Sequence, residues 1–472
     1  MSQYTYSADD ISRALGKDFG PSPEQARIIE APLESNIVIA GAGSGKTETM
    51  ANRVVFLIAN GVVSADQVLG MTFTRKAANE LATRVRENLA KLKRSNLDIL
   101  GEAGDDMFGA TITTYNAFAN RIYSDYAHLI GRDPDAQIMS EASAWQLARS
   151  VVEDAATDDV LALDKGLETI ADALLDLARA LNDNMGHVGD LTRFSTDFLE
   201  AIDASTVGSL SATNQKKIHS AINIAMTYPH MDRLIASYEE LKRSRGLMEF
   251  SDQVVRASEI SEAFPYVGDA IRSQYKVVLL DEYQDTSNVQ IRLLSSLFQG
   301  LDVSAVGDPN QAIYGWRGAS ASSMDTRNFF KAYAPDQAEK PVYNLSQSWR
   351  NPSVVLDAAN AIAGKLASTS SNQPLTLTVG SDATTGSLTS YYPETVREEA
   401  TFTAEWFKQT MAEWKPRPGV SKDRDEDKKP LKAPTAALLV RRIADLDAFK
   451  RALEDADVPY RVVGLGGLLV DP

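Results

Sequence analysis

Cysteine is absent from the 472 residues of the chain, and histidine occurs only four times. Without cysteine there are no disulfides, thiolate metal sites or thiol nucleophiles, and so few histidines argue against a multi-histidine zinc site. No apolar run reaches the ~18 residues that a membrane-spanning helix needs. The N-terminal segment MSQYTYSADDISRALG also lacks the apolar stretch of a signal peptide. We therefore expect a soluble cytoplasmic protein without a membrane partner.

An excess of positive charge is missing as well. Lys and Arg number 48 against 64 Asp and Glu, which gives a formal net charge of −16. An acidic chain repels polyanions as a whole, so binding to nucleic acid would need a local basic or aromatic groove. Apolar residues at 44% and charged residues at 24% are ordinary for globular proteins and exclude a wholly disordered chain. At ~150 residues per domain, the length predicts two to four compact units.

Short apolar runs alternate with helical patterns in two parts of the chain. Continuous apolar strands that alternate with helices indicate a parallel sheet covered on both faces. The runs that predict this sheet are 36–40, 68–73, 110–114 and 275–282. Between roughly 120 and 260 the pattern is mostly helical, and we interpret it as an insertion between the third and fourth strands.

The α/β pattern resumes after residue 320. A new unit is predicted to begin near PVYNLSQSWRN, and the charged, Pro-rich residues 415–434 predict a surface loop. The chain ends soon after a strand pattern without a closing helix, so we expect an N-terminal part of a longer protein. The further strands are predicted at 387–394, 435–442 and 460–464, and the further helices at 395–414 and 445–456.

The motif AGAGSGKT follows the first strand and precedes a helix. Its small residues let successive backbone N–H groups point at phosphate oxygens, and the helix N-terminus favours the same anion. Lys46 would approach the β- and γ-phosphates of ATP, and the Thr47 hydroxyl would ligate Mg²⁺. A glycine-rich turn that binds nothing is the alternative, which the flanking strand and helix disfavour. The predicted ATP contacts of the loop are Ala40, Gly41, Ala42, Gly43, Ser44, Gly45, Lys46 and Thr47.

Two acids end the fourth predicted strand in VVLLDEYQD. Asp281 would hold Mg²⁺ directly or through water. Glu282 would orient and deprotonate a water molecule that attacks the γ-phosphate. The alternative is a charged strand end without chemistry, but the phosphate loop upstream favours a nucleotide hydrolase.

Five segments occur in a fixed order that resembles a known family. They are AGAGSGKT, TFTRKAANEL, DEYQDTSNVQ, VGDPNQAIYGWRGA and LSQSWRN. Together they closely resemble the UvrD/Rep/PcrA family of superfamily 1 DNA helicases. The phrases VLGMTFTRKAANELATRV and GLMEFSDQ look more like the B-type (AdnB-like) subunit of an actinobacterial helicase–nuclease.

The resemblance implies an α/β fold built on a P-loop NTPase, RecA-like core domain. That domain would comprise residues 1–120 and 250–325, with a helical insertion at 121–249 and the first part of a second RecA-like domain at 326–472. The implied activity is an ATP- and Mg²⁺-dependent 3′→5′ DNA helicase and single-strand translocase in DNA repair or recombination. Implied partners are single-stranded DNA, duplex ends or junctions, and a second helicase–nuclease subunit.

Two alternatives stay open. One is a motor-like subunit that binds ATP and DNA without unwinding activity of its own, although intact Lys46, Asp281 and Glu282 argue against it. The other is a P-loop enzyme acting on small molecules, which leaves VGDPNQAIYGWRGA unexplained.

Further residue roles follow from the resemblance. Gln25 matches the residue that reads adenine, and Gln311 matches the γ-phosphate sensor. Arg350 matches an arginine that reaches the γ-phosphate from the second RecA-like domain, and it would stabilise transition-state charge. Trp349 stands where the family usually has Tyr, and it would either stack on adenine or pack in the core. The implied DNA contacts, several of which could instead be core aromatics, are Phe73, Arg75, Tyr115, Tyr314, Trp316 and Arg317.

Two positions near these motifs need separate comment. The family often has Arg directly after GKT, whereas this chain has Glu48, and nearby Arg53 is the candidate that would compensate. Asp252 in MEFSD is expected to be structural rather than catalytic.

Overall fold

The computed structural model describes residues 4–95, 109–204, 212–315, 318–320, 322–365, 375–380, 384–413 and 436–462. The chain divides into two compact units, Met1–Gly386 and Ser387–Pro472. The first unit contains a six-stranded sheet, and every pair of neighbouring strands in it is parallel.

The strands of the sheet lie in the order β3-β2-β6-β7-β1-β8. Every residue of β1, β2 and β6 is buried, as expected for a parallel sheet covered on both faces. The four sequence-predicted strands are confirmed as β1, β2, β3 and β6. The strands are β1 (Asn36–Ala40), β2 (Val68–Thr72), β3 (Thr111–Thr114), β4 (Gln137–Ile138), β5 (Leu247–Met248), β6 (Val277–Leu280), β7 (Asp302–Gly307), β8 (Val342–Leu345), β9 (Gln347–Ser348) and β10 (Thr378–Val379).

Helices cover both faces of the sheet. One apolar core includes Phe118 and Phe298, and the core on the other face includes Val54 and Phe56. The helices are α1 (Ala8–Ala14), α2 (Pro23–Ile29), α3 (Lys46–Ala59), α4 (Arg75–Arg94), α5 (Tyr115–Tyr126), α6 (Glu141–Glu153), α7 (Thr157–Leu163), α8 (Leu167–Asp183), α9 (Asp190–Ala204), α10 (Ala212–Ser244), α11 (Phe250–Ala263), α12 (Pro265–Gln274), α13 (Asn288–Phe298), α14 (Thr326–Tyr333), α15 (Ser353–Ala363), α16 (Val396–Glu413) and α17 (Leu446–Asp455). Across the described ranges, none is both long and apolar enough to cross a membrane.

The mostly helical pattern between roughly 120 and 260 is confirmed by helices α6 to α10. Apolar side chains of α6, α8 and α10 form a core of their own, which includes Leu147, Leu174 and Tyr238. The chain enters and leaves this region through the two-stranded parallel pair of β4 and β5.

After residue 320 the chain adds one more strand to the first sheet. Strand β8 pairs with β1, and the first compact unit extends to Gly386, beyond the predicted domain start at 326. The division into functional domains itself stays a prediction.

In the second unit, α16 and α17 confirm the predicted helices at 395–414 and 445–456. The strands predicted at 387–394, 435–442 and 460–464 are wrong within the described residues, which have no strand there. A helix closes its hydrogen bonds within itself, whereas a strand needs a partner, which an apolar pattern alone does not supply. The predicted loop at 415–434 lies outside the described residues.

Candidate functional site

The AGAGSGKT loop connects β1 to α3 at the carboxyl edge of the sheet. Gly43 and Gly45 take left-handed φ angles of 76° and 85°, which glycine adopts without strain. Gly45 caps α3 without a side-chain hydrogen bond, so the first N–H groups of the helix can serve an anion. The buried Ser44 hydroxyl has no hydrogen-bond partner within the described residues. The strand–loop–helix context predicted for a phosphate site is therefore present.

Lys46 and Glu282 form an ion pair across the loop. Lys46 Nζ lies 3.0 Å from Glu282 Oε2. The lysine predicted to bind phosphate is therefore hydrogen-bonded to the carboxylate predicted to act as the base. Glu282 has a φ of 51°, a left-handed conformation that costs a non-glycine residue about 1–3 kcal/mol. Backbone strain of this kind concentrates at functional sites. The structure thus brings these two predicted catalytic residues together.

Asp281 is a buried carboxyl beside a like charge. Its side chain is 3% exposed, and its Oδ1 accepts a hydrogen bond of 3.0 Å from the backbone N–H of Glu282. Burial and the Glu282 charge raise the pKa of Asp281 to about 7, although Lys46 acts in the opposite direction. The Asp281 carboxylate and the Thr47 hydroxyl offer the hard oxygen ligands that Mg²⁺ prefers, and ATP phosphates would supply further oxygens. These residues fit a magnesium site, which stays a prediction.

Gln284 forms hydrogen bonds at this site that the sequence did not predict. Its Nε2 donates to Glu282 Oε2 at 2.9 Å, and its Oε1 accepts from Asp308 N–H at 3.0 Å. A Cβ atom on Gly307 would lie 2.4 Å from that Oε1, so the glycine leaves room for the contact. Gln311 joins the same loop, since its Nε2 donates to Asp308 Oδ2 at 2.6 Å. Gln284 therefore connects the acids after β6 to the predicted phosphate sensor after β7.

One sequence signal could have identified Gln284. It lies two positions after Glu282, inside the matched segment DEYQDTSNVQ. The next residue, Asp285, shares its environment, because burial and the Glu282 charge raise the pKa of Asp285 to about 6. The segment thus holds several acids close together, and Gln284 donates hydrogen bonds to two of them.

The residues predicted to contact the base of ATP lie against the same loop. Gln25 Nε2 donates to Ser44 O at 3.4 Å, and a Cβ atom on Gly45 would lie 2.8 Å from it. The backbone N–H of Trp349 donates to Gly43 O at 2.9 Å, and the Trp349 side chain is 49% exposed. The Trp349 side chain is thus accessible to a ligand.

Arg350 lies beside the phosphate loop within the first compact unit. A Cβ atom on Gly43 would lie 2.7 Å from Arg350 Cβ. The resemblance places this arginine in a second RecA-like domain, whereas here it belongs to Met1–Gly386 together with the loop. Its predicted contact with the γ-phosphate stays a prediction.

Glu48 and Arg53 have separate structural roles. Glu48 forms ion pairs with Lys17 and, at 2.9 Å, with Arg84. Arg53 is 3% exposed, and its guanidinium donates to backbone carbonyls in the last turn of α2 and just after it, including Ile28 O at 2.8 Å. The idea that Arg53 compensates for Glu48 in nucleotide binding is therefore wrong, because the guanidinium is buried and both of its Nη groups bond to backbone carbonyls.

Two of the aromatic residues predicted to contact DNA lie in contact at the sheet edge. The ring centroids of Phe73, after β2, and Tyr314, after β7, are 4.9 Å apart with an interplanar angle of 32°. Arg75, at the start of α4, is exposed close by in sequence. Trp316 and Arg317 lie outside the described residues.

Tyr115 is placed differently from the other predicted DNA contacts. It is 4% exposed, its ring belongs to the apolar core, and its hydroxyl donates to Asp281 O at 2.9 Å. A ring in this position has no free face for a base, so the core alternative fits Tyr115 and we leave it out of the proposed groove.

Comparison with known proteins adds an independent finding. A family model described as the UvrD/REP helicase N-terminal domain matches residues 22–329. The chain is 26% identical over 354 residues to DNA helicase II of Haemophilus influenzae, covering 75% of this chain and 41% of that protein. It is 25% identical over 447 residues to ATP-dependent DNA helicase PcrA of Leuconostoc citreum, covering 94% and 50% respectively. The chain thus spans half or less of the length of these relatives.

Proposed function

Because the chain belongs to the UvrD/REP helicase family, we propose that it carries the ATP-driven motor of a DNA helicase that moves 3′→5′ along single-stranded DNA. One observation supports this most directly. The phosphate loop with its Lys46–Glu282 ion pair and the Phe73–Tyr314 aromatic pair follow strands of a single parallel sheet. Ligands of such sheets bind beyond the carboxyl ends of the strands, so ATP and DNA would share one edge.

In the proposed mechanism, ATP places its phosphates on the loop and draws Lys46 away from Glu282. The released carboxylate accepts a proton from the water that attacks the γ-phosphate. Gln284 keeps Glu282 in place through its 2.9 Å hydrogen bond. Mg²⁺, when held by Thr47 and Asp281, supplies charge neutralisation of the phosphate oxygens.

The aromatic pair would bind the DNA strand. Bases of any sequence stack on aromatic faces at ~1–3 kcal/mol each, which suits a motor that must step along every base. Arg75 is exposed two positions after Phe73 and would contact phosphates. Gln284 reaches Asp308, which binds Gln311, so a change at Glu282 can reach the loop that carries Tyr314.

Finer assignments are part of the same proposal. We propose a cytoplasmic protein that acts in DNA repair or recombination on duplex ends or junctions, as the B-type (AdnB-like) subunit of a helicase–nuclease. The motor-like subunit without unwinding is the second candidate, because the chain spans only 41% to 50% of the relatives described above. We expect these 472 residues to bind ATP, to hydrolyse it slowly and not to unwind duplex DNA processively.

Steady-state ATP hydrolysis with and without single-stranded DNA tests the motor assignment. Lys46→Ala should abolish turnover, since the phosphates lose their main side-chain cation. Lys217→Ala, at an exposed position of α10, is the matched control and should behave like the unchanged chain. Near-normal turnover of Lys46→Ala would overturn the phosphate-loop assignment. A parallel strand-displacement assay separates a motor that unwinds from one that only hydrolyses ATP.

A further inference from the structure

The segment after β8, residues 346–351, is attached to α2 through one carboxylate. Both oxygens of Glu24 accept hydrogen bonds from a single residue of this segment. Ser346 N–H lies 2.7 Å from Oε2, and the Ser346 hydroxyl lies 2.6 Å from Oε1. Hydrogen bonds to an ionised carboxylate are about twice as strong as neutral ones and fix geometry more tightly.

The other end of the segment is attached to the phosphate loop. The Ser348 hydroxyl donates to Ala42 O at 2.9 Å, and the backbone N–H of Trp349 donates to Gly43 O at 2.9 Å. Asn351 Nδ2 adds a longer bond of 3.3 Å to Ala42 O. Trp349 and Arg350 thus lie in a short stretch that is held at both ends.

The α2 helix therefore contacts the nucleotide site in two ways. Gln25 contacts the phosphate loop from α2 itself, through Ser44 O. Glu24, one position earlier, holds the segment that carries Trp349. This short helix thus contributes to the spacing between Gln25 and Trp349, together with the direct bonds of the segment to the phosphate loop.

We infer that Glu24 is a positioning residue of the nucleotide site, which sets Trp349 and Arg350 against the phosphate loop before ATP binds. This inference rests on the proposed function, because it concerns the same ATP site. Pre-organised walls lower the entropy cost of binding, and a displacement of ~1 Å at a catalytic group can lower a rate by ~10². Glu24 touches no reacting atom and acts through Ser346.

The competing explanation is local. Glu24 is an acid in the first turn of α2, where it would favour the helix dipole without any effect on ATP. A helix-stabilising role predicts a lower melting temperature and unchanged nucleotide binding. A positioning role predicts weaker binding and an altered environment of Trp349.

The variants are Glu24→Ala, Glu24→Gln and Ser346→Ala, with Arg27→Ala as the matched control at an exposed position of α2. Each is made in the full chain. The measurements are the Kd of a non-hydrolysable ATP analogue, the DNA-stimulated kcat, the melting temperature, and the change of tryptophan fluorescence on binding. The Trp349 signal is obtained by subtracting the fluorescence change of the Trp349→Phe variant from that of the unchanged chain.

Glu24→Ala should raise Kd about 3- to 10-fold, lower kcat and reduce the Trp349 signal, because a charge-assisted contact is lost. Glu24→Gln should restore most of the affinity, since its amide oxygen still accepts from Ser346. Ser346→Ala should act in the same direction, and combining it with Glu24→Ala should add little, because both remove one interaction. Arg27→Ala should leave the Kd, the kcat and the Trp349 signal unchanged.

The inference is overturned if Glu24→Ala and Ser346→Ala keep the Kd, kcat and Trp349 signal of the unchanged chain, whatever their melting temperatures. Ser346→Ala removes only one hydroxyl, so it keeps the test valid even if Glu24→Ala folds poorly. Failure of the proposed function gives a different result, in which the unchanged chain itself does not bind the ATP analogue.

Discussion

The molecule buries carboxylates in two regions and pairs them very differently. Where the helical insertion meets the sheet, Asp252 accepts hydrogen bonds from Lys242 at 2.9 Å, Asn182 at 2.9 Å and Glu249 N–H at 2.7 Å. At the end of β6, buried Asp281 instead lies beside the negative charge of Glu282. Full pairing is typical of a structural cluster, whereas buried, poorly compensated charge is typical of a functional site.

The cations of the two regions show the same contrast. Burial alone would lower the pKa of Lys242, but Asp252 and Glu239 outweigh it and raise that pKa overall. Among the residues that the structure describes, Lys46 pairs with one carboxylate, that of Glu282, which a bound phosphate can replace. The charges at the insertion junction are thus paired without a ligand, while those at the sheet edge would be balanced by the ATP and divalent cation proposed to bind there. The structural role expected for Asp252 fits its place in the complete cluster.

The largest effect is expected at the paired cluster. Lys242→Met should lower the free energy of unfolding by about 3–5 kcal/mol, because it leaves buried carboxylates without their cation. Urea unfolding followed by circular dichroism measures this change. Exposed Lys217→Met is the control and should stay within about 0.5 kcal/mol of the unchanged chain. An effect of Lys242→Met as small as that of Lys217→Met would show that the buried carboxylates around Asp252 do not depend on Lys242 for their pairing.

At the sheet edge, removing a charge should stabilise the protein. Asp281→Asn should raise the free energy of unfolding at pH 8 by about 2–4 kcal/mol in nucleotide-free protein with EDTA, since a carboxyl pKa raised from 3.8 to about 7 reflects a penalty of that order. Urea unfolding of both proteins measures it. A lower stability of Asp281→Asn would instead mean that the carboxylate is well paired.

The same carboxyl gives a pH dependence with a definite sign. Its pKa is raised from 3.8 to about 7 in the folded chain, so the native state binds more protons between these values. Stability from this group therefore falls as pH rises through that window. Unfolding measured at pH 5.5 and pH 8 should show a smaller loss in Asp281→Asn than in the unchanged chain. Asp285, whose pKa is raised to about 6, would account for a remaining slope.

Glu282→Gln separates ATP binding from hydrolysis. The amide keeps the size of the side chain but cannot take a proton, so turnover should fall by ~10² while ATP still binds. Steady-state hydrolysis and analogue binding measure the two quantities separately. Glu339→Gln, at an exposed position, should change neither. Loss of ATP binding in a folded Glu282→Gln chain would assign Glu282 to the structure of the site rather than to its chemistry.

The smallest effect is expected at the aromatic pair. Tyr314→Ala should weaken binding of labelled oligonucleotides by about 1–3 kcal/mol, with little dependence on base sequence. ATP affinity without DNA should stay the same. Tyr115→Phe is the matched control, because Tyr115 is buried and should not contact the strand. Equal DNA affinity of the Tyr314→Ala and unchanged chains would remove the Phe73–Tyr314 pair from the proposed groove.

The sequence predicts those parts of the molecule whose signal is local. Continuous apolar runs located β1, β2, β3 and β6, and the loop after β1 was identified from its small residues and lysine. The buried position of Tyr115 was also readable, since Tyr115, Phe118 and Ile122 repeat at helical spacing and lie on the buried face of α5.

Contacts between distant loops could not be predicted in this way. The bonds from Gln284 to Asp308 and from Glu24 to Ser346 join residues that are 24 and 322 positions apart. The prediction for Arg53 is wrong because its carbonyl partners come from the end of α2 and the residues after it, which no pattern within α3 indicates. The strands predicted in Ser387–Pro472 failed for a related reason, because strand formation depends on a neighbour outside the local sequence.

The parallel pairing of β4 with β5 brings the two ends of the helical insertion side by side. Gln137 N–H lies 2.8 Å from Gly246 O, so the chain reaches the start of both short strands at nearly the same point. A shortened chain could cross from Ala136 to Leu247 over one strand spacing, about 4.8 Å. Such a deletion would remove Lys242 and Asn182, which donate hydrogen bonds to Asp252. Exchanging the helical insertion would therefore also require a neutral residue at position 252.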